Sequence, residues 1–256
     1  MGNFKIGYNF VPFTPTASTS AAGYPATNLS VYGHTKRHWR STVTTETTIV
    51  FNYAAAKSIV GIVLSDVNFT SCYIQACATD SWPGTYRLPA VSGNLTVSKD
   101  ERTQRYNIFI PATFNLQYSR LVITSQTPTD GAAYFRIGTA VHLDTVLTLT
   151  ANPFLPYEYS ADEKTVTNEF ESGGYEVVNL GDLIWEGAFS WTYLNATNEG
   201  EIWTINGLKK DANLIFYENI SDTSKVYLCR RRSVIEVSEL SVDVRRIPTI
   251  TLREVY

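Results

Sequence analysis

The sequence predicts an all-β protein: a sandwich or barrel followed by a smaller β-rich domain with one short helix. Three observations carry this. Thr, Val, Ile and Tyr abound, while long Ala/Leu/Glu/Lys stretches of helical type are nearly absent, a bias that suits pleated, half-buried surfaces. Alternating or near-continuously apolar runs recur with turn residues between them, and the three that close the first half are spaced by roughly 13–15 residues, which suits a sandwich or barrel. Around Asn152-Pro153-Phe154-Leu155-Pro156 two prolines interrupt any element and mark a linker.

Taken in order, Met1–Pro25 reads as an extended N-terminal segment. Its stretch Pro12–Pro25 is a polar loop without period, and the whole could reach across a neighbouring molecule. Thr47–Phe51 alternates, and Ser58–Leu64 (SIVGIVL) is near-continuously apolar, as a strand covered on both faces should be. Cys72–Thr79 follows, then a turn-rich region from Asp80 to Glu101 holding Trp82-Pro83-Gly84 and Ser92-Gly93-Asn94. Arg105–Ile110, Arg120–Ser125 and Ala133–Leu143 close the first half as strands. Beyond the linker come Lys164–Phe170, a Gly173-Gly174 turn, Tyr175–Asn179 and Ala188–Tyr193. Thr197–Leu208 is the one helix: Thr197 or Asn198 caps it, Glu199 and Glu201 suit its positive end, and Ile202, Ile205 and Leu208 form its inner face. Leu214–Glu218, Lys225–Arg231, Val234–Val237 and Pro248–Val255 read as strands. The expected division is 1–25, 26–150 and 151–256.

With 256 residues, 44% hydrophobic and 18% charged, there is ample material for two cores and little sign of disorder. A net charge of −3 argues against nucleic acid as a partner. The charge is uneven: residues 1–150 carry 11 Lys and Arg against 7 Asp and Glu, a net of +4, and residues 151–256 carry 10 against 17, a net of −7. Such asymmetry fits a domain break near Thr150 and head-to-tail contact between copies. Cys72, Cys77 and Cys229 are an odd count without framework spacing, expected as buried free thiols made in a reducing cytoplasm. The start MGNFK lacks the charged opening and apolar run of a signal peptide, and no stretch nears the ~20 apolar residues of a membrane helix. Five Asn-x-Ser/Thr sequons, at Asn28, Asn68, Asn94, Asn195 and Asn219, follow from a Thr- and Asn-rich chain.

Asn28-Leu29 lies upstream of Trp39-Arg40-Ser41. Then come the run Ile59–Leu64, Asp66-Val67-Asn68-Phe69, and the closing Tyr134-Phe135-Arg136-Ile137-Gly138 that leads to Val141-His142-Leu143. Over roughly residues 20–145 this pattern resembles the discoidin, or coagulation-factor type C, family of galactose-binding-like jelly rolls. The resemblance implies that Trp39 plugs the sandwich, that Arg40 supports the adjoining loop, and that loops at one end bind sugars, lipid heads or proteins. The chain lacks the cysteine pair that staples extracellular members. Together with Gly173-Gly174-Tyr175, the run Phe189–Leu194, the run Lys225–Arg230 and the ending Pro248–Val255, the arrangement also resembles minor tail proteins of bacteriophages and prophages. In those a discoidin-like domain precedes a smaller β-rich one.

No motif for chemistry emerges. His34 and His38 are four apart, a metal spacing on a helix, but Gly33, Thr35 and Trp39 argue for a loop, and His142 falls in a strand. There is no Gly-x-Ser-x-Gly turn, Cys72 and Cys77 have no basic neighbour in sequence, and the acids Asp66, Asp80, Asp100 and Glu101 cannot be paired from sequence. Arg230-Arg231-Arg232 alternates across a strand, so it reads as a charged edge or a source of subunit salt bridges. Trp82 and Tyr86, which flank Pro83-Gly84, and Tyr32 beside Gly33 are the loop aromatics for glycan or protein contact.

The expectation is a non-enzymatic structural protein of a phage tail tip or baseplate, made in the bacterial cytoplasm and assembled as a symmetric ring without cofactor or metal. Its partners would be copies of itself and other tail proteins: tube, hub, tape measure and fibres. The alternative is a carbohydrate-binding module for host-surface glycans.

Overall fold

In the computed structural model the described residues are 3–32, 37–90, 92–150, 152–153, 158–162, 165–169, 175–179, 183–194, 196–208, 212–218, 222–232, 238–241 and 244–255. They form two compact units. Unit 1 comprises Met1–Asp100, Arg105–Thr148 and Leu214–Val226; unit 2 comprises Glu101–Gln104, Leu149–Asn213 and Tyr227–Tyr256. The strand Leu214–Tyr217 thus joins the first unit although it lies far beyond the proline-marked linker.

Unit 1 is a β-sandwich. Its strands are β1 (Lys5–Phe10), β2 (Thr14–Ala17), β3 (Trp39–Arg40), β4 (Thr47–Ile59), β5 (Gly61–Val67), β6 (Ser71–Cys77), β7 (Tyr86–Leu88), β8 (Leu95–Thr96), β9 (Ser98–Lys99), β10 (Tyr106–Ile110), β11 (Phe114–Ile123) and β12 (Arg136–Thr148). One sheet runs β1-β12-β5-β10-β9, with β3 on β12 and Leu214–Tyr217 outside β1. The other runs β2-β4-β11-β6-β7, with β8 on β6. The long strands β4, β5 and β6, and then β10, β11 and β12, switch sheet at each step, as in a jelly roll. Every pairing is antiparallel.

The apolar run Ser58–Leu64 is therefore not one strand. β4 ends at Ile59 and β5 begins at Gly61, so the chain crosses between sheets at Val60 and both sheets draw core residues from the run. Nor is the N-terminal segment free to reach a neighbour. β1 sets Ile6 opposite Leu147 on one side and Phe216 on the other, and β2 sets Pro15 opposite Phe51. Burial of Phe4, Ile6, Val11 and Phe13 and the satisfied backbone groups of two sheets hold it in place. The polar loop read over Pro12–Pro25 accordingly holds a strand.

Between the sheets lies one core of interdigitating side chains. Leu29, Trp39, Ile49, Phe51, Phe69, Ile74, Leu121, Phe135 and Ile137 are fully buried in it. Cys72 also lies in this core, where burial pushes its thiol up to about 12.

Unit 2 holds β13 (Glu158–Asp162), β14 (Thr165–Glu169), β15 (Tyr175–Asn179), β16 (Ile184–Leu194), α1 (Ala196–Gly207), β18 (Val226–Arg231), β19 (Ser238–Ser241) and β20 (Val244–Glu254); β17 is the strand Leu214–Tyr217 already placed in unit 1. The strands β13, β16, β20 and β18 form its sheet, β19 pairs with β20, and β14 pairs with β15 as a two-stranded ribbon. Trp185 lies flat on Tyr227, ring centres 4.2 Å apart, and Phe189, Trp191, Ile250 and Leu252 are buried with them. The expected helix is present as α1. The expected strand Val234–Val237, the Gly173-Gly174 turn and Phe154 lie outside the described residues.

One polar chain runs through the unit 1 core. His142 is fully buried between Phe13 and Phe51, its Nδ1 is 2.6 Å from Tyr53 Oη, and Tyr53 Oη is 2.6 Å from Ser119 Oγ. Among the described residues its Nε2 has no hydrogen-bond partner. A proton on Nδ1 leaves only a lone pair at Nε2, which is less costly than a buried N–H without an acceptor. Burial holds the imidazole neutral by dropping its pKa from 6.5 to about 3. The unfolded chain therefore binds the extra proton below pH 6.5 and the folded chain does not. The stability His142 contributes is complete above pH 6.5 and is lost as pH falls towards 3. Denaturant unfolding of wild type and His142→Gln should diverge over this window, wild type losing up to about 1.4 kcal/mol more per pH unit. Parallel curves would refute the assignment.

Candidate functional site

The site is built by the two-residue strand β3. Asn28 and Leu29 prepare it: Leu29 is buried in the core, and Asn28 Nδ2 donates to the His38 carbonyl at 3.0 Å. On β3, Trp39 faces Ile137 and Arg40 faces Arg136 of β12. Trp39 points into the core, where its Nε1–H donates to Thr19 O and Ser20 Oγ, both at 3.1 Å. Ser41 closes the bridge: its N–H donates to Phe135 O at 2.9 Å and its Oγ accepts from Phe135 N–H at 2.8 Å.

Because successive side chains point to opposite faces, Arg40 leaves the core that Trp39 enters. Its guanidinium lies 3.9 Å from the centre of the Tyr24 ring and 4.8 Å from that of Tyr134. Each such contact contributes about 0.5–1 kcal/mol. Its Nε–H donates to His38 Nε2 at 2.6 Å, and the His38 ring packs on Tyr24 with centres 4.8 Å apart. Among the described residues neither Nη of Arg40 has a hydrogen-bond partner, and neither is buried. The arrangement is a fixed cationic fork with two aromatic neighbours and one edge that has no partner among the described residues.

Arg136, directly across the strand pair, is matched. Its Nη2 meets Asp66 Oδ1 at 3.1 Å and its Nη1 meets Asp130 Oδ2 at 3.8 Å. Asp130 also accepts from Asn68 Nδ2 at 3.1 Å and from Ala132 N–H at 3.1 Å, while Asn68 Oδ1 accepts from Arg136 N–H at 2.6 Å. Asp66 sits at φ +53°, its N–H bonded to Asn107 Oδ1 at 2.9 Å. Gly138 permits this approach, since a Cβ there would fall 2.9 Å from Asp66 Cβ and 3.1 Å from Ser65 O.

Of the residues singled out from sequence, Trp39 and Arg40 belong to this assembly, and the three loop aromatics do not. Tyr32 packs edge-on against Phe10 at 5.3 Å, and burial raises its hydroxyl to about 12. Tyr86 rests against Phe114, and its Oη accepts from Thr113 N–H at 3.2 Å. Trp82 lies at the other end of the sandwich, beyond the C-terminal end of β6. Its Nε1–H donates to Asp80 Oδ1 at 2.7 Å, and the Arg120 guanidinium sits 4.4 Å from its ring. Gly84 presses this loop onto β6, because a Cβ there would clash with Ala76 O.

His34 lies outside the described residues, His38 serves Arg40, and His142 is in the core. Among the described residues no group of three His, Cys, Asp or Glu side chains is placed to hold a metal ion. Cys77 and Cys229, like Cys72, are buried and form no disulfide among the described residues. Tyr24, Tyr134, Arg136 and Asp130 were missed as site residues. The resemblance's closing segment contains Tyr134 and Arg136 but no local pattern marks Tyr24 or Asp130, because the β3–β12 register that assembles them spans about a hundred residues of sequence.

Within the arginine run, Arg231 is engaged inside the chain, whereas Arg230 and Arg232 are exposed. Arg230 Nε–H donates to Asn213 Oδ1 at 2.7 Å. Arg231 is buried and turned onto the end of α1, its Nη1 donating to Asn206 Oδ1 at 2.9 Å and its Nη2 to Leu208 O at 3.1 Å. A cation here satisfies terminal helix carbonyls and suits the negative helix end. Arg232 is exposed.

No protein-family model and no curated protein matches the sequence. Several solved structures are similar to it at low identity. The family 32 CBM from C. perfringens NanJ, in complex with galactose, is 10% identical with a TM-score of 0.40, covering 54% of this chain and 98% of that one. Chitosan-binding module 1 from a chitosanase/glucanase of Paenibacillus sp. IK-5 is 19% identical with a TM-score of 0.36, covering 51% and 93%. The CBM32 of AlyQ, in complex with 4,5-unsaturated mannuronic acid, is 13% identical with a TM-score of 0.36, covering 54% and 98%.

Arg231→Met should destabilise the protein by about 1.5–3 kcal/mol, the loss expected for hydrogen bonds from a charged donor. Arg230→Ala and Arg232→Ala should each stay within about 0.5 kcal/mol. Thermal denaturation of the three variants checks the contrast, and equal effects would contradict it.

Proposed function

We propose that unit 1 is a non-catalytic carbohydrate-binding module that takes its ligand at the Arg40 end of the sandwich. The observation that carries this is the Nη edge of the Arg40 guanidinium, without a partner among the described residues, fixed by His38 and set against Tyr24 and Tyr134. Recognition of a sugar needs directed donors beside an apolar face, on a scaffold stiff enough that little ordering entropy is lost on binding. The core-anchored β3 supplies that stiffness. The ligand would be a host-surface glycan, and binding would involve no turnover, cofactor or metal.

The second reading is the ring-forming tail-tip protein of a phage virion, partnered by its own copies and by tube, hub, tape-measure and fibre proteins. What favours it is the opposite net charge of residues 1–150 and 151–256, which suits head-to-tail contact. Electron microscopy of concentrated protein would show a closed ring under this reading, and a monodisperse monomer would count against it.

A glycan array probed with the full chain tests the first reading. Wild type and Trp82→Ala should retain the same glycans, and Arg40→Ala should lose them while melting close to wild type. Absence of any retained glycan, or full binding by Arg40→Ala, would refute it.

A further inference from the structure

We infer that the Arg40 site selects a sugar acid, a pyranose carrying a carboxylate, over a neutral sugar. This rests on the reading of that end as a glycan site and concerns only what the site takes. The argument is one of charge and shape. Arg40 and Arg136 stand directly opposite in register, an arrangement of like charges that costs stability unless each is compensated. Arg136 is compensated by Asp66 and Asp130, and Asp130 is further engaged by Asn68 and the Ala132 N–H. Arg40 has no carboxylate among the described residues. Its contacts are the acceptor nitrogen Nε2 of His38 and two π faces. Both carboxylates of the pair are thus engaged by Arg136, and Arg40 is left without one of its own.

The shape of that cation is equally specific. With Nε committed to His38, the edge left over is the one bearing Nη1 and Nη2, whose outward N–H groups run parallel. A planar pair of donors at that spacing matches the two oxygens of a carboxylate in a bidentate contact, which a single hydroxyl cannot reproduce. Galacturonate and sialic acid share this chemistry. Neutral galactose lacks it, and so does the methyl ester of galacturonate, which keeps the ring but removes the charge.

Titration calorimetry of the full chain with a galacturonate oligomer, its methyl ester, a galactose oligomer and sialyllactose tests the inference. At least one acid should bind about tenfold more tightly than galactose, the gap expected between charge-assisted and neutral hydrogen bonds. The identity of that acid tells which source the site accepts. The galacturonate ester should bind like galactose, and added salt should weaken only the acid. Arg40→Gln should erase the preference without lowering the melting temperature by more than a few degrees, and Arg40→Lys should restore only part of it. Equal binding of acid and neutral sugar, or an ester that binds like its acid, overturns the selectivity while leaving the glycan reading intact. Binding of none of the four overturns both.

Discussion

The pairing of Trp39-Arg40 with Arg136-Ile137 is the constraint on which the rest of unit 1 turns. One register step fixes both sides of the sheet at once. With Trp39 committed to the core, Arg40 has no freedom but to face outward, and Arg136 faces it. The indole is held at its far end by Thr19 and Ser20, and the strand end is held by the reciprocal bonds between Ser41 and Phe135. A slip of one residue would bury a guanidinium and expose an indole, a double penalty large enough to keep the register single-valued. Rigidity at the surface here is a by-product of burial beneath it.

The same logic explains why buried polar groups sit where they do. Asn68 is almost wholly buried, yet its amide serves Asp130, Tyr134 O and Arg136 N–H together, so it ties the turn after β5 to the start of β12. Gln126 does comparable work nearby, accepting from Thr70 and Ser71 N–H and donating to Ser71 O. Loops that would otherwise carry unsatisfied backbone groups are closed by side-chain amides. In unit 2, Arg231 does this for the last turn of α1. Each of these residues would pass for ordinary polar composition in the sequence. Their partners are distant, and the free energy at stake is that of leaving a buried group unmade.

What the sequence determined by itself is the local and periodic part. The β-rich class follows from composition, and the strand cores, the helix α1 and the turn regions follow from patterns only a few residues long. The alternation of Arg230, Arg231 and Arg232 across a strand was equally legible, because it too depends on neighbours alone. Tertiary structure decided what needs contacts between remote residues. It folded the first residues back as β1 and β2, split the run Ser58–Leu64 between two sheets, drew Leu214–Tyr217 into the first unit, and turned Arg231 inward onto a helix end. It also moved the candidate site from the loop aromatics to Tyr24, His38, Arg40 and Tyr134, which converge only through β3 and β12. Periodicity says which face of a strand is apolar. Which strands meet is set by the core as a whole, since only its packing selects one pairing among the many that local patterns allow.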